Sequence, residues 1–268
     1  MGALNSLRPA IRGFVRNPVL LVIMGAYGLV QLPQMALQSQ DPLLVTAVSL
    51  LMTVLLIVFL PFFQGGIIGM GREAITGRTS LGTLVRVGKS NYVSLLLAYL
   101  VLLAVNFALG ILAFFGILIG GVGIVAADGD PSLGAIAVVA LFGLLVLLAY
   151  LLVSFFVQFY AHAIVLSDTG LVDGFKTSVS LVRRNLLSAV GYTVILVVGG
   201  AFLGLLSVAA AFAFAPDQLP GVDVPELTLP LLVAAAAVYL VAIAIAGAFY
   251  ATYSVAFYLD LQSDPTPL

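Results

Sequence analysis

The chain has 268 residues, of which 63% are hydrophobic and only 8% are charged, and its mean hydropathy is +1.25. This composition excludes a water-soluble globular protein and predicts a polytopic membrane protein. The formal net charge is −1, and no Lys or Arg lies inside the long apolar tracts. There is no cysteine, which excludes disulfides, thiolate catalysis and zinc or iron–sulfur sites built on cysteine.

Six apolar tracts follow one another along the chain, and each is long enough to cross a hydrocarbon core of ~30 Å as an α-helix. The fold class they predict is all-α: a polytopic transmembrane helical bundle whose six spans form three hairpins, with short amphipathic juxtamembrane helices. Because the spans use more than half of the residues, positions 1–268 are expected to form a single integral membrane domain. In chain order the predicted spans are 18–38, 43–71, 92–126, 133–166, 188–215 and 231–259.

The third and fourth tracts are longer than a simple crossing requires. A helix of about 35 residues measures ~50 Å at ~1.5 Å per residue, against a core of ~30 Å. These tracts must therefore tilt, protrude or break. Glycines concentrate in the third tract and mark a candidate break: Gly116, Gly120, Gly121 and Gly123.

The ten Lys and Arg residues fall in three clusters, and two apolar tracts separate each cluster from the next. An even number of crossings returns the chain to the same side each time. The positive-inside rule then predicts a multi-pass protein of the cell membrane, with the clusters and both termini in the cytoplasm. The opposite side receives six acidic residues and no cation. The clusters are Arg8, Arg12 and Arg16; Arg72, Arg78, Arg86 and Lys89; and Lys176, Arg183 and Arg184.

The basic clusters belong to amphipathic segments. Residues 4–16 and 171–184 place apolar side chains on one helical face and cations beside them. Such helices are expected in the headgroup layer, with the apolar stripe down and the cations toward anionic lipid phosphates. We call the three basic clusters together the basic cytoplasmic collar. This collar either binds a lipid or a cytoplasmic partner, or it serves only to orient and anchor the chain in the membrane. The candidate lipid or partner contacts are Arg12, Arg16, Arg86, Lys89, Lys176, Arg183 and Arg184.

Segments 62–94 and 156–188 form an internal repeat, in which seven positions match at a separation of 94 residues. Both segments enter a basic cluster and leave it in the same direction, so the repeat is parallel rather than inverted. Asn17, Asn91 and Asn185 each stand where a basic segment meets a span. We expect their side-chain oxygens to cap the first free N–H groups of the following helix.

Few polar side chains lie inside the apolar tracts. An amide in lipid needs a hydrogen-bond partner, so these residues are expected to bond between helices. The single histidine is either a hydrogen-bonded packing residue or a group that titrates or binds a ligand. No ionisable residue lies at the expected midplane, which favours packing over ion-coupled transport. The candidate interhelical polar contacts are Gln64, Asn106, Gln158 and His162, and three glycine pairs predict close helix packing: Gly65/Gly69, Gly116/Gly120 and Gly200/Gly204.

The stretch from Gln158 to Asn185 combines an aromatic-rich span end with Lys176-Thr-Ser178 and Arg183-Arg-Asn185. It resembles the signature of a broad prokaryotic family of uncharacterised six-span membrane proteins, and this version resembles haloarchaeal members. That family is similar to the membrane domain that accompanies some glycerophosphodiester phosphodiesterases. Ser167 stands where an acidic residue is common in the family, and Asp168 follows it. The resemblance implies a six-span fold and no catalysis, because the phosphodiesterase chemistry belongs to a separate soluble domain.

These features predict a non-enzymatic membrane protein, a scaffold or accessory subunit that acts through its basic cytoplasmic collar. The alternative is a transporter or channel for a small or lipidic substrate. A carrier would need a polar cavity that reaches the midplane near Gln64, Asn106 and Gln158, whereas a scaffold would have a tightly packed interior.

An enzymatic role would have to use an inner rim of His162, Asp168 and Asp173, and the two acids are better explained as caps of the short helix that follows. No catalytic residue, metal site or cofactor is predicted. The expected partners are membrane lipids with anionic headgroups at the cytoplasmic face, and a membrane or cytoplasmic protein is a further candidate. No nucleic acid partner is expected, and the oligomeric state is left open.

Overall fold

The computed structural model of the protein describes residues 2–36, 42–126, 133–214 and 228–263, and all regular secondary structure in these ranges is α-helical. The predicted all-α fold is therefore confirmed. The helices are α1 Gly2–Asn5, α2 Leu7–Arg16, α3 Pro18–Ala36, α4 Pro42–Thr76, α5 Leu81–Ala126, α6 Leu133–Val157, α7 Tyr160–Leu166, α8 Leu171–Arg184, α9 Leu186–Phe214 and α10 Leu229–Ser263. The six acids expected opposite the basic clusters lie outside the described residues: Asp41, Asp128, Asp130, Asp217, Asp223 and Glu226.

Several of these helices are long and apolar enough to cross a membrane. Within the described residues, α4, α5, the α6–α7 tract, α9 and α10 are long and apolar enough. A sixth candidate is the pair Gly2–Arg16 and Pro18–Val30, whose halves meet at 85°. The chain is thus compatible with a multi-pass membrane protein of five or six spans. α5 begins at Leu81 and carries the second basic segment and the third predicted span in one helix of 46 residues.

The expected break in the third tract is wrong, and the fourth tract breaks instead. α5 runs through Gly116 and Gly120 without interruption. The two glycines allow α6 to pack closely, since an added Cβ would collide with Phe142 at the first and with Val139 at the second. The break in the fourth tract separates α6 from α7 at residues 158–159. Small residues in a long membrane helix therefore mark packing here, rather than a break.

A serine from α8 stabilises the broken helix. The Ser178 hydroxyl donates to the carbonyl oxygen of Phe156 at 2.9 Å and accepts the N–H of Phe159 at 3.0 Å. Ser178 itself is fully buried. Backbone groups freed by a break need such partners, because an unpaired buried N–H or C=O costs about 1–3 kcal/mol.

The best-buried side chains lie in the last third of α10 and in the helices around it. Tyr253 and Phe257 are fully buried, and both stack on Tyr192 of α9, with ring centroids 5.3 and 4.5 Å apart. α10 packs against α1, α2, α3, α4 and α9. By contrast, α5 and α6 leave large apolar side chains exposed, such as Phe107 at 70% and Val138 at 68%. Apolar surface of this extent is what a lipid-facing helix presents.

The amphipathic helix α8 packs its apolar face on the bundle, which corrects the expectation that this face lies against lipid. α2 buries small residues on the bundle but leaves Ile11 and Val15 exposed, so for α2 a place in the headgroup layer stays a prediction. On α8, Val182 is fully buried and Phe175 stacks on Tyr160 with ring centroids 5.3 Å apart. On α2, Ala10 and Gly13 are buried against α4 and α10. The cations of both helices point away from the bundle and remain exposed.

The three asparagines bond backward along the chain rather than forward. In each, the side-chain nitrogen donates to the carbonyl oxygen four residues earlier, at 2.8 Å for Asn17, 3.1 Å for Asn91 and 3.0 Å for Asn185. The Asn17 oxygen accepts the N–H of Thr79, 62 residues away, at 2.9 Å. The expected cap of the following helix is therefore wrong for Asn17, and Asn91 lies inside the continuous helix α5.

Both ends of the described chain lie at the same end of the bundle as the basic segments. The Tyr253 hydroxyl of α10 donates to the carbonyl oxygen of Ala3 at 2.9 Å, across 250 residues of sequence. The hydroxyls of Tyr258 and Ser167, the residue that follows α7, are hydrogen-bonded at 2.9 Å. Asn17 joins α2 to the loop after α4. We call this end, which carries α2, residues 77–90 and α8, the basic end.

Candidate functional site

A cavity of about 590 Å³ opens between α3, α4, α5, α7, α9 and α10. It is partly enclosed by these helices. Small-molecule sites have volumes of about 300–1,000 Å³ and walls that are mostly apolar with a few polar groups. The cavity is within that range, so its size suits a small or lipid-like ligand.

The wall of the cavity is largely aliphatic and aromatic, and it contains no Asp, Glu, Lys or Arg. Its polar groups are mainly phenol and amide. The Tyr160 hydroxyl donates to the Gln64 side-chain oxygen at 3.3 Å, and Tyr99 and Tyr250 also line the cavity. These side chains can bond to an uncharged ligand but cannot neutralise a charged one.

His162 forms part of the same wall and is the least satisfied polar residue in it. The residue is 4% exposed, and its ring packs between Phe159 and Tyr258, with centroids 5.8 and 5.6 Å away. Within the described residues, neither ring nitrogen has a hydrogen-bond partner. A buried polar group without a partner costs about 1–3 kcal/mol. His162 is therefore buried beside the cavity without the interhelical hydrogen bond expected of it.

The polar groups concentrate toward the basic end. On α4 the wall runs from Leu60 to Gln64 and beyond, and on α10 it runs from Ile243 to Ser254. At ~1.5 Å per residue the lined stretch of α10 is ~16 Å long. Gln64, His162 and Ser254 lie on the side nearer the basic end, whereas Leu60 and Ile243 lie deeper. The cavity is thus elongated along the helices and has one more polar end.

Two glycines of α9 give the cavity its open side. Gly199 and Gly200 both line it, and an added Cβ at either would meet no atom within 4 Å. Gly204, one turn further on, also faces open space but is not part of this wall. The pair Gly200/Gly204 therefore does not pack against another described helix of this chain, and its packing in a homodimer stays a prediction. Gly65 and Gly69 do pack closely, against Leu95 and Val87 of α5 respectively.

The remaining predicted polar contacts lie beside the cavity. The Gln158 oxygen accepts a hydrogen bond from Thr193 of α9 at 3.3 Å. Asn106 instead donates to the carbonyl oxygen of Leu102 in its own helix at 2.8 Å. Both Gln158 and Asn106 line a second cavity of about 200 Å³ between α5 and α6, which shares Tyr160 with the large one. Of the residues named for a carrier site, the structure brings only Gln64 into the large cavity.

The predicted cationic contacts are exposed at the basic end, and two of them have acidic partners. Arg86 pairs with Glu73 at 3.1 Å, and Lys176 lies 3.8 Å from Asp173. A shallow groove of about 330 Å³ is lined by Lys176 and Arg184 with other residues of α8. Arg12, Arg16, Lys89 and Arg183 are likewise exposed.

The inner rim considered for an enzyme is not assembled. Asp168 is exposed and adopts φ 51°, a left-handed conformation in the loop between α7 and α8, while His162 is buried and makes no hydrogen bond to it. Neither acid caps α8, because the N-cap is Gly170 and no side chain bonds there. Within the described ranges, no three His, Asp or Glu side chains cluster in a way that could hold a metal ion.

Fold and cavity together define an all-helical protein, with five or six helices able to cross a membrane and a partly enclosed cavity between them. Residues 1–261 match the family described as "Domain of unknown function (DUF7847)", and the chain belongs to that family. No curated protein and no solved structure matches the chain.

Proposed function

We propose that the protein is a membrane carrier that binds a small, lipid-like molecule in the cavity between its helices. The cavity is the observation that carries this proposal, because its volume of about 590 Å³ and its apolar wall with a few polar groups are typical of a small-molecule site.

The broken helix supports the same function. α6 and α7 separate at residues 158–159, and α7 then supplies Tyr160 and His162 to the cavity wall. Interrupted helices in membrane transporters commonly form the substrate site, because irregular backbone is tolerated at membrane depth only where it lines a cavity or is buried in protein.

The carrier is preferred to the scaffold, which would have a closed interior. In the proposed arrangement the chain crosses the membrane six times, as three hairpins, and the basic end faces the cytoplasm. The exposed cations then orient the protein and contact anionic headgroups. No reaction is assigned to the protein.

The test is to fill the cavity from its open side. Gly200→Leu adds a bulky side chain to a residue that lines the open side of the cavity, where an added Cβ meets nothing within 4 Å. We expect full-length wild-type protein, purified in a mild detergent, to retain one class of lipid in roughly stoichiometric amount, and Gly200→Leu to lose it. Extraction and mass spectrometry of the bound lipids measure both.

The matched control is Gly204→Leu, which makes the same change one turn along the same helix, also into open space but outside the cavity wall. It should retain the lipid. If Gly200→Leu and the wild-type protein carry the same lipids in the same amounts, the cavity is not a binding site and the carrier proposal is wrong.

A further inference from the structure

We infer that the ligand is an uncharged amphipathic lipid whose head is a hydroxyl group, and that this head lies against His162 with the chain extending away from the basic end. This inference rests on the proposed carrier function. It adds the chemical class of the ligand, the residue that recognises it and its direction in the cavity.

The absence of charge in the wall selects the class of ligand. None of the residues lining the cavity is Asp, Glu, Lys or Arg. A charged head placed among apolar side chains needs an opposite charge or it loses its hydration without compensation. All ten cations of the chain are exposed at the basic end, outside this wall. The site therefore suits a neutral head.

The state of His162 selects a hydroxyl within that class. A neutral imidazole offers one N–H donor and one nitrogen acceptor, and both nitrogens of His162 lack partners among the described residues. A hydroxyl is the smallest neutral group that both donates and accepts a hydrogen bond. Both nitrogens are covered in the unliganded protein, so the proposed bond requires the ring to rotate toward the cavity that His162 lines. The bond formed then removes a cost already present in the unliganded protein.

The distribution of polarity sets the direction of the ligand. Gln64 and Tyr160 form a hydrogen-bonded pair on the same side of the cavity as His162, and the Gln64 amide nitrogen makes no hydrogen bond to other described residues. The deeper wall, which includes Leu60 and Ile243, provides apolar contact for a chain along ~16 Å.

The test uses four probes that share one chain and differ in the head: dodecanol, dodecane, dodecylamine and dodecyl phosphate. Binding to the purified full-length protein in lipid nanodiscs is measured by competition with radiolabelled dodecanol. We expect dodecanol to bind about tenfold more tightly than dodecane, which is the value of one net hydrogen bond, and the two charged probes to bind more weakly than dodecanol. In His162→Phe, the affinities of dodecanol and dodecane should become equal.

Two variants distinguish recognition from packing. His162→Gln keeps a donor and an acceptor and should preserve the preference for the alcohol. Tyr258→Phe removes a hydroxyl beside His162 that bonds to Ser167 and Gln262, and Tyr258 is not part of the cavity wall, so the preference should be unchanged.

The inference is overturned if the wild-type protein binds dodecanol and dodecane equally, which would mean that only water partners His162, or if a charged probe binds most tightly. It also fails if His162→Phe and His162→Gln both keep the preference. That last result, with dodecanol binding still abolished by Gly200→Leu, would leave the carrier function standing. If Gly200→Leu still bound both dodecanol and dodecane, the carrier function itself would be overturned.

Discussion

At the scale of single residues, three asparagines beside the basic segments bond to the backbone in the same way. Asn17, Asn91 and Asn185 were marked by their position between a basic segment and a span, and all three share one geometry. The direction of their hydrogen bonds could not be derived from the sequence. An asparagine side chain at such a position can donate to a preceding carbonyl or accept from a following N–H group. For Asn17 the deciding partner, Thr79, is distant in sequence.

Asn17 should be the most important of the three for stability. It is buried, and besides the bond to Gly13 its nitrogen donates to Gly77 at 3.1 Å while its oxygen accepts from Thr79. We expect Asn17→Ala to lower the free energy of unfolding by about 2–3 kcal/mol, because several buried backbone groups lose their partner together. Thermal unfolding of the purified protein measures the change.

Asn91→Ala provides the comparison, because Asn91 is only half-buried and bonds to Val87 of its own helix and to the neighbouring Ser90. Asn91→Ala should lower the free energy of unfolding by less than about 1 kcal/mol. Equal losses in the two variants would show that the contact between α2 and the loop after α4 contributes nothing to stability.

The candidate site was partly predictable at this scale. Gln64 and His162 stand out because polar groups are rare in apolar tracts, and both lie in the cavity wall. Tyr160 and Tyr250 do not stand out in the same way, because tyrosines near the ends of spans are also typical of an interfacial aromatic belt. Their place in the wall depends on the break after α6 and on the packing of α10, and neither feature leaves a periodic signal in the sequence.

At the scale of elements, the two matched segments of the repeat have loops of equal length at different positions: residues 77–80 in the first and 167–170 in the second. α4 continues to Thr76, whereas α7 ends at Leu166, which corresponds to Arg72 in the repeat. The second copy therefore turns one helical turn earlier, and its basic helix, α8, is longer by the same amount. The long helices coincide closely with the predicted apolar tracts, because apolar length alone determines these tracts. Where a helix breaks depends on tertiary partners such as Ser178.

Ser178→Ala should destabilise the junction between α6 and α7. The change leaves the carbonyl of Phe156 and the N–H of Phe159 without their partner, so we expect a loss of about 1–3 kcal/mol and faster hydrogen exchange at the Phe159 amide. Mass-spectrometric hydrogen–deuterium exchange reports the second effect directly.

Ser180→Ala is the natural control for this prediction, since Ser180 lies on the exposed face of the same helix. In Ser180→Ala, the rate of hydrogen exchange at residues 156–160 should match that of the wild-type protein. An unchanged exchange rate in Ser178→Ala would mean that the break is held by the shape of the helices and not by the serine.

At the scale of the whole molecule, the arrangement of the basic end leads to a topology that can be measured. The chain has no cysteine, so single cysteines introduced at exposed positions report their side without a background. We expect Ser80→Cys and Ser180→Cys to react with a membrane-impermeant maleimide only from the cytoplasmic side of sealed vesicles. Thr228→Cys, at the opposite end of α10, should react only from the other side.

Labelling of Ser80→Cys and Ser180→Cys from opposite sides would contradict both the six crossings and the common basic end. Labelling of both from the outside would keep the architecture but reverse its orientation, against the positive-inside rule.

The contact between Ala3 and Tyr253 bears on how the protein is made. α10 is synthesised after every other helix described, yet it supplies Tyr253 and Phe257 to the centre of the aromatic cluster and holds α1 in place. The earlier helices therefore enter the membrane without the element that joins them, and a nascent chain lacking α10 has no finished cavity. The cavity is therefore complete only when α10 packs against the earlier helices.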